Sequence, residues 1–379
     1  MKHLRLPKSP RMPMLPAGMA VFCIAIHAAA PVKVTIGHIG NSCESPVYVA
    51  KDKGFFSEEG LDAGIVRGDW NFIKESLAFG RISAVQGLLM NYIKPIEQGL
   101  DVKVTAGVHR GCVRILVPDT SPITGPAGLK GKRIGVPALG SSPWIFAARV
   151  ISELGGDIRR DVEWKPFPAG ELKLALQKGE VDAIAVADPI GEILISEGGV
   201  RIVVDQLTDA PYKDEYCCAV LVSGKLARET PDVAARITRA ILKASLWIEH
   251  NPQGAAEIAV NGRHTGGSVE INARILAKLD YVPSVEGGRL AVLTASTALK
   301  NAGILSRTTD IPAFVERAFV RLPGLDDAWL KGVAVAREDR ISPAAIFNRP
   351  LPDGASPAAG GCCEAGPADA AKLAAAGGR

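Results

Sequence analysis

From Val32 to Val222 the chain alternates between stretches patterned as strands and stretches patterned as helices. That alternation constrains the fold more than any other feature. Val32–Ile39 (VKVTIGHI) reads as a strand, and a helix opens after the loop Gly40–Glu44, with Ser45 as cap and Pro46 at the first helical position, where no N–H is needed. Lys51 and Lys53 fall in the last turn and Gly54 ends it, as the helix dipole and a left-handed cap require. Ala63–Arg67, Ser83–Gln86 and Val102–Val108 read as further strands with helices between them. This order predicts an α/β fold with doubly wound, largely parallel sheet.

A second set follows Pro118. Lys132–Val136 and Val181–Ala187 read as strands, Ser142–Leu154 and Glu171–Lys178 as helices, and Arg201–Val204 as one more strand. Two short β-patterned runs, Cys112–Val117 and Cys217–Val222, bracket this set and are expected to carry the chain between two lobes. Residues 31–117 and 218–340 then form lobe 1, and 118–217 form lobe 2. After Ser223 the pattern is helical to about Lys331: Thr230 caps, Pro231 follows, and Val233, Ile237, Ala240, Ile241, Ala244 and Ile248 repeat at helical spacing.

The ends read differently. Lys2, Arg5, Lys8 and Arg11 precede a mostly apolar run that closes on Ala28-Ala29-Ala30, the pattern of a secretory signal peptide over residues 1–30. Residues 341–379 are expected to be a disordered tail, dominated by Ala, Gly and Pro from about Asp353. No other segment has the ~20 apolar residues that would span a bilayer. The charge of +4 is dispersed with no basic stripe, which argues against a nucleic-acid partner.

Open parallel sheets bind ligands beyond the carboxyl ends of their strands. The loops there supply the candidate site: Asn41, Ser42 and Cys43; Asp69 and Trp70; Gln86, Gly87 and Leu88; Ser141 and Ser142; and Asp188, which ends a buried strand. In GVPALGSSPW (Gly135–Trp144), Ser142 is expected to cap the next helix, Pro143 to start it, and Ser141 to meet a ligand. Amide N–H groups at such helix starts can bind an anion without any cationic side chain. Ordinary capping accounts for the same serines, and capping of the helix that starts at Pro189 accounts equally for Asp188.

Of seven cysteines, Cys43, Cys112, Cys217 and Cys218 sit at the expected cleft and crossings, and Cys362 and Cys363 in the tail. Thiolates that converge select soft metals, whereas small buried thiols are the commoner case. No CxxC, GxSxG, HExxH or P-loop pattern is present, so neither an enzyme nor a metal or cofactor site is expected.

YVAKDKGFFSEEGLDAGI (Tyr48–Ile65), GLDVKVTAGVHRG (Gly99–Gly111), GLKGKRIGVPALGSSPW (Gly128–Trp144) and LALQKGEVDAIAVADP (Leu174–Pro189) resemble the solute-binding proteins of nitrate/sulfonate/taurine-type ABC importers. That broad family includes the thiamine-pyrimidine proteins. The resemblance, over residues 32 to 335, implies a two-lobed type II periplasmic-binding-protein fold with two hinge crossings. It also implies a monomeric periplasmic receptor that carries a small anionic or zwitterionic solute to an ABC permease at the inner membrane. Its binding loops fall on the positions above and add Tyr216 to Cys217. Cysteines at 43, 217 and 218 and a carboxylate at 188 depart from a plain sulfonate site. The alternatives are an enzyme like the pyrimidine-phosphate synthases and a soft-metal or thiol-dependent binding protein.

Overall fold

The structure, a computed structural model, describes residues 30–347. The expected signal peptide up to Ala29 and the tail from residue 348 lie outside those residues. In chain order the first strands are β1 (Val32–His38), β2 (Leu61–Arg67), β3 (Ala84–Leu88), β4 (Val102–Arg110) and β5 (Val113–Pro118). They are followed by β6 (Arg133–Val136), β7 (Glu163–Pro166), β8 (Ala183–Ala187), β9 (Val200–Asp205), β10 (Tyr216–Ser223) and β11 (Asp280–Ser284).

Two sheets result. The six-stranded sheet has the order β11-β4-β10-β3-β1-β2, and the five-stranded sheet β7-β6-β8-β5-β9. β1 pairs in parallel with β2 and β3, while β10 is inserted antiparallel between β3 and β4. In the second sheet β6 is parallel to β7 and β8, and β5 runs antiparallel between β8 and β9. The architecture is thus α/β and two-lobed, and each sheet is mixed: β10 and the edge strand β11 run against the rest of the first, and β5 against the rest of the second. Strands buried on both faces read as continuous apolar runs; β10, from Cys217 to Ser223, and β8, from Ala183 to Val186, are such strands.

The chain leaves the first sheet at Gly111–Cys112 and returns between Gln206 and Glu215. β5 therefore belongs to the second sheet and Tyr216 and Cys217 of β10 to the first, against the expected lobe bounds at 117 and 217. Two edge strands interrupt the expected pattern. β7 (EWKP) lies where no strand is expected, and β11 (DYVPS) breaks a region read as helical. Residues 341–347, counted with the tail, include the short helix Pro343–Phe347, whose Ile346 is buried. The stretch before it is tied down: Asn251 Oδ1 accepts from the Asp339 amide at 2.9 Å, and Asp339 accepts from Gln253 N at 2.7 Å.

The helix Pro231–His250 repeats its apolar positions over five turns and buries Trp247 and Ile248 in the core beside β4 and β11. The helix Ser142–Glu153 covers the second sheet. Both start with proline in the first turn, which removes a donor that would otherwise lack a partner.

Candidate functional site

Between the loops of the two sheets is a cavity of about 960 Å³. From the first sheet it is lined by Gly40 and Asn41 after β1, by Arg67, Asp69 and Trp70 after β2, and by Leu88 and Asn91 after β3. The second sheet contributes Pro137 to Ile145 after β6, Trp164 on β7, and Ala187 and Pro189 at the end of β8. The strand-end rule thus leads to this cavity. Of the sequence-derived residues, the fold brings Asn41, Asp69, Trp70, Leu88, Ser141 and Ser142 to this cavity.

The others are placed elsewhere. Ser42 is buried and donates to Asn272 Oδ1 at 2.6 Å. Gln86 is buried and donates through Nε2 to the Cys43 carbonyl at 3.0 Å. Gly87 faces the Glu44 carboxylate, which a side chain at that position would meet. Tyr216 donates to the Val282 carbonyl at 2.6 Å, and Cys43 and Cys217 are buried beneath the loops. Asp188 lies behind the cavity wall, between the lining residues Ala187 and Pro189. It is buried and held by Arg114 Nη1 at 2.7 Å, and it accepts from the Glu192 amide at 3.0 Å, the capping role that was the alternative.

Ser141 takes the capping part expected of Ser142. Ser141 is the cap: its Oγ accepts from Trp144 N at 3.4 Å and donates to the Ala138 carbonyl at 2.7 Å. Ser142 lies in the first turn and donates to Asn91 Oδ1 at 2.7 Å, a hydrogen bond that joins the first turns of the helices that follow β3 and β6.

The loop after β1 also differs from expectation. Its amides are taken by a neighbouring carboxylate: Glu44 Oε2 accepts from Gly40 N at 2.8 Å and Asn41 N at 2.7 Å, and Oε1 from Ile39 N at 3.1 Å. Burial, with Cys43 alongside, pushes this carboxyl up to about 8, while the three amides pull the other way. Behind the loop, Tyr48 Oη lies 3.0 Å from His38 Nδ1 and stacks on His264. Burial first, then His264 and Arg67, lower His38 to about 3.

The positive charge in the cavity comes from side chains. Arg67 ends β2 and lies over Gly40, where a Cβ would come within 2.9 Å of Nη2; the glycine has φ 98°. Among the described residues no carboxylate forms an ion pair with Arg67. Lys74 and Arg159 also line the cavity, against one carboxylate, Asp69, which is engaged in capping the helix Trp70–Ala78. Trp70, Trp144 and Trp164 supply flat walls, with Trp144 and Trp164 set edge-to-face at 5.7 Å. Arg67 and Trp164 were missed. Arg67 was within reach of the strand-end rule; Trp164 was not, because its strand had no apolar pattern.

A sequence model described as the NMT1-like family matches residues 27–261, well over half the chain. The chain belongs to the NMT1-like family. Among curated relatives of this family member, a provisionally named aliphatic sulfonates-binding protein of Bacillus subtilis (strain 168) is 28% identical over 56% of the chain and 65% of its own length. The riboflavin-binding protein RibY of Chloroflexus aurantiacus is 24% identical over 60% of the chain and 65% of its own length. The chain therefore spans just under two thirds of these two relatives. The crystal structure of the periplasmic aliphatic sulphonate binding protein SsuA from Escherichia coli superposes with a TM-score of 0.63 at 20% identity, over 75% of this chain and 97% of that one. That likeness confirms the two-lobed periplasmic-binding fold. The relatives named here are binding proteins rather than enzymes.

Proposed function

We propose that this NMT1-like protein is the exported, periplasmic solute receptor of an ABC importer, and that it holds an organic anion with a flat apolar body in the cavity between its sheets. Arg67 carries the proposal. Among the described residues it has no carboxylate partner, and it shares one cavity with three tryptophans. A guanidinium suits a sulfonate, carboxylate or phosphate end, and indole rings suit a planar or aliphatic remainder. A volume of about 960 Å³ exceeds what nitrate or a short sulfonate fills, and it matches cavities that hold drug-sized molecules. Relatives named for aliphatic sulfonates and for riboflavin span that range of size.

Binding rather than catalysis is the expected activity. Residues 41, 67 and 70 approach the solute from one sheet and 141 to 144 from the other, so a bound molecule favours the arrangement in which both sets touch it. The monomer in that form then docks on its permease. Calorimetry against alkanesulfonates, arylsulfonates, nitrate, riboflavin and thiamine-type pyrimidines tests the reading. One saturable ligand is expected, with at least tenfold weaker binding in Arg67→Met. Saturable binding that ignores Arg67→Met, or no binding across the panel, rejects it.

A further inference from the structure

Four cysteines from three separate segments meet in one buried cluster below the crossings. Cys43 comes from the turn Ser42–Glu44, Cys112 from the link between β4 and β5, and Cys217 and Cys218 from the start of β10; all four are free and buried. Cys112 Sγ lies 2.6 Å from Cys217 Sγ and 4.0 Å from Cys218 Sγ. Donor atoms of Cys43, His109 and Cys218 are all within 4.8 Å of one another. Neighbouring residues of a regular strand point to opposite faces. Here the pairing of β10 with β4 shifts register between Tyr216 and Ala219, and both sulfurs come near Cys112.

His109 separates this cluster from ordinary thiol packing. It is fully buried, with Nδ1 3.2 Å from the Arg110 carbonyl, while Nε2 has no hydrogen-bond partner. A neutral imidazole that donates from Nδ1 keeps a lone pair on Nε2, and a buried lone pair without a partner costs free energy. A carbonyl on the far nitrogen is also how ligating histidines are commonly oriented. Buried thiols alone need no explanation; the orphaned nitrogen beside them does.

We propose that Cys43, Cys112, Cys218 and His109 form a resident site for one thiophilic metal ion, of the zinc or cuprous copper class, distinct from the solute cavity. Three thiolates and an imidazole make a tetrahedral set, and Zn–S bonds of about 2.3 Å place two sulfurs roughly 3.8 Å apart. Cys112 and Cys218 already stand 4.0 Å apart. Loading a divalent ion releases one proton from each of the three thiols and transfers no electrons. The ion would link the outgoing crossing, through Cys112, to the returning strand and to the loop after β1. The competing chemistry is a Cys112–Cys217 disulfide, which gives up two protons and two electrons to an external oxidant. It would leave Cys43, Cys218 and the His109 nitrogen unexplained. Neither chemistry depends on the solute reading.

The test uses the full-length chain, reduced and stripped of metal, and the same chain carrying Cys23→Ser, Cys362→Ser and Cys363→Ser, which removes the thiols outside the described residues. Cobalt(II) is titrated as the spectroscopic probe, with zinc(II) and copper(I) in parallel arms. The expected result is one equivalent bound with a thiolate-to-cobalt charge-transfer band, displaced by one equivalent of zinc or copper. Zinc alone displacing it assigns the zinc class, copper alone the cuprous class. His109→Gln and Cys43→Ser should each weaken binding at least tenfold, while Cys217→Ser changes it less than threefold. Circular dichroism identifies a variant that has unfolded, and protection from alkylation in the unmutated chain is the independent readout. Thiols shielded until a chelator is added support the site. A chain two hydrogens lighter with two permanently unreactive thiols, substoichiometric metal, or binding indifferent to both substitutions overturns it.

Discussion

The loop after β1 and the loop after β6 meet at one cavity and look alike in sequence, small polar residues ahead of a helix that opens with proline. They treat their backbone differently. In the first, Glu44 lies beneath the loop and accepts from three successive amides, so the backbone is satisfied from within. In the second, Ser141 closes the turn on Ala138 and caps the helix, and Ser142 reaches across to Asn91. An amide near a cavity is available to an anion only if no internal acceptor has claimed it. The carboxylate three residues after Asn41 decides the first case, and the second lacks one. In the proposed receptor the attraction for an anion therefore falls to the cationic side chains, Arg67 first, rather than to the amides of the loop after β1.

The largest effect expected from breaking this contrast is at Glu44. Alanine there removes the acceptor of three half-buried N–H groups, so at about 1 kcal/mol each, the low end of the cost of a stranded group, Glu44→Ala should lower stability by roughly 3 kcal/mol in denaturant unfolding. A loss below that of a typical surface substitution would show that water replaces the carboxylate at no cost. Behind the same loop, His38 gives the next effect. Its folded pKa is depressed to about 3 from an ordinary 6.5, so the unfolded chain binds more protons between those values. Stability is then fully present above pH 6.5 and falls as pH drops, by about 1.4 kcal/mol for each unit until pH 3 is approached. His38→Gln, which keeps a partner for Tyr48, should flatten that slope of melting temperature against pH. An unchanged slope would assign the acid lability to other groups.

These loops also show what was legible in the sequence. The alternation of strands and helices, the two crossings near Cys112 and Cys217, and a cleft at the strand ends followed from periodicity and capping residues, because each depends on local pattern. The edge strands Glu163–Pro166 and Asp280–Ser284 escaped because an exposed edge needs no apolar run, and with β7 went Trp164. The fates of Ser42, Gln86 and Asp188 depended on Asn272, the Cys43 carbonyl and Arg114, partners up to 230 residues away that no local pattern marks. Spacing can bring a residue to the neighbourhood of a site. Whether its polar atoms are still free there is a tertiary question.

On the open side of the cavity the expected changes are smaller and appear in binding. Trp144 follows the cap and lines the cavity beside Trp164. Trp144→Ala removes an apolar wall from the bound solute and should weaken the ligand found by calorimetry by roughly 1–3 kcal/mol, about fivefold to 150-fold. Trp144→Phe should recover part of that loss for a planar ligand. A loss confined to stability, with affinity intact, would make Trp144 a packing residue only.

The smallest effect is the most specific to the geometry. The hydrogen bond from Ser142 Oγ to Asn91 Oδ1 spans the two loop sets, so it contributes to the arrangement in which they touch. Ser142→Ala removes about 1 kcal/mol of that contact, roughly a fivefold shift toward separated lobes. Small-angle scattering of the protein without solute should then report a larger radius of gyration, and saturating solute should restore the compact profile. Asn91→Ala should reproduce the shift, and the double variant should add little, because both substitutions delete one bond. Two independent, additive losses would mean that Ser142 and Asn91 act on separate partners, and the loops would then have to be joined by the solute alone.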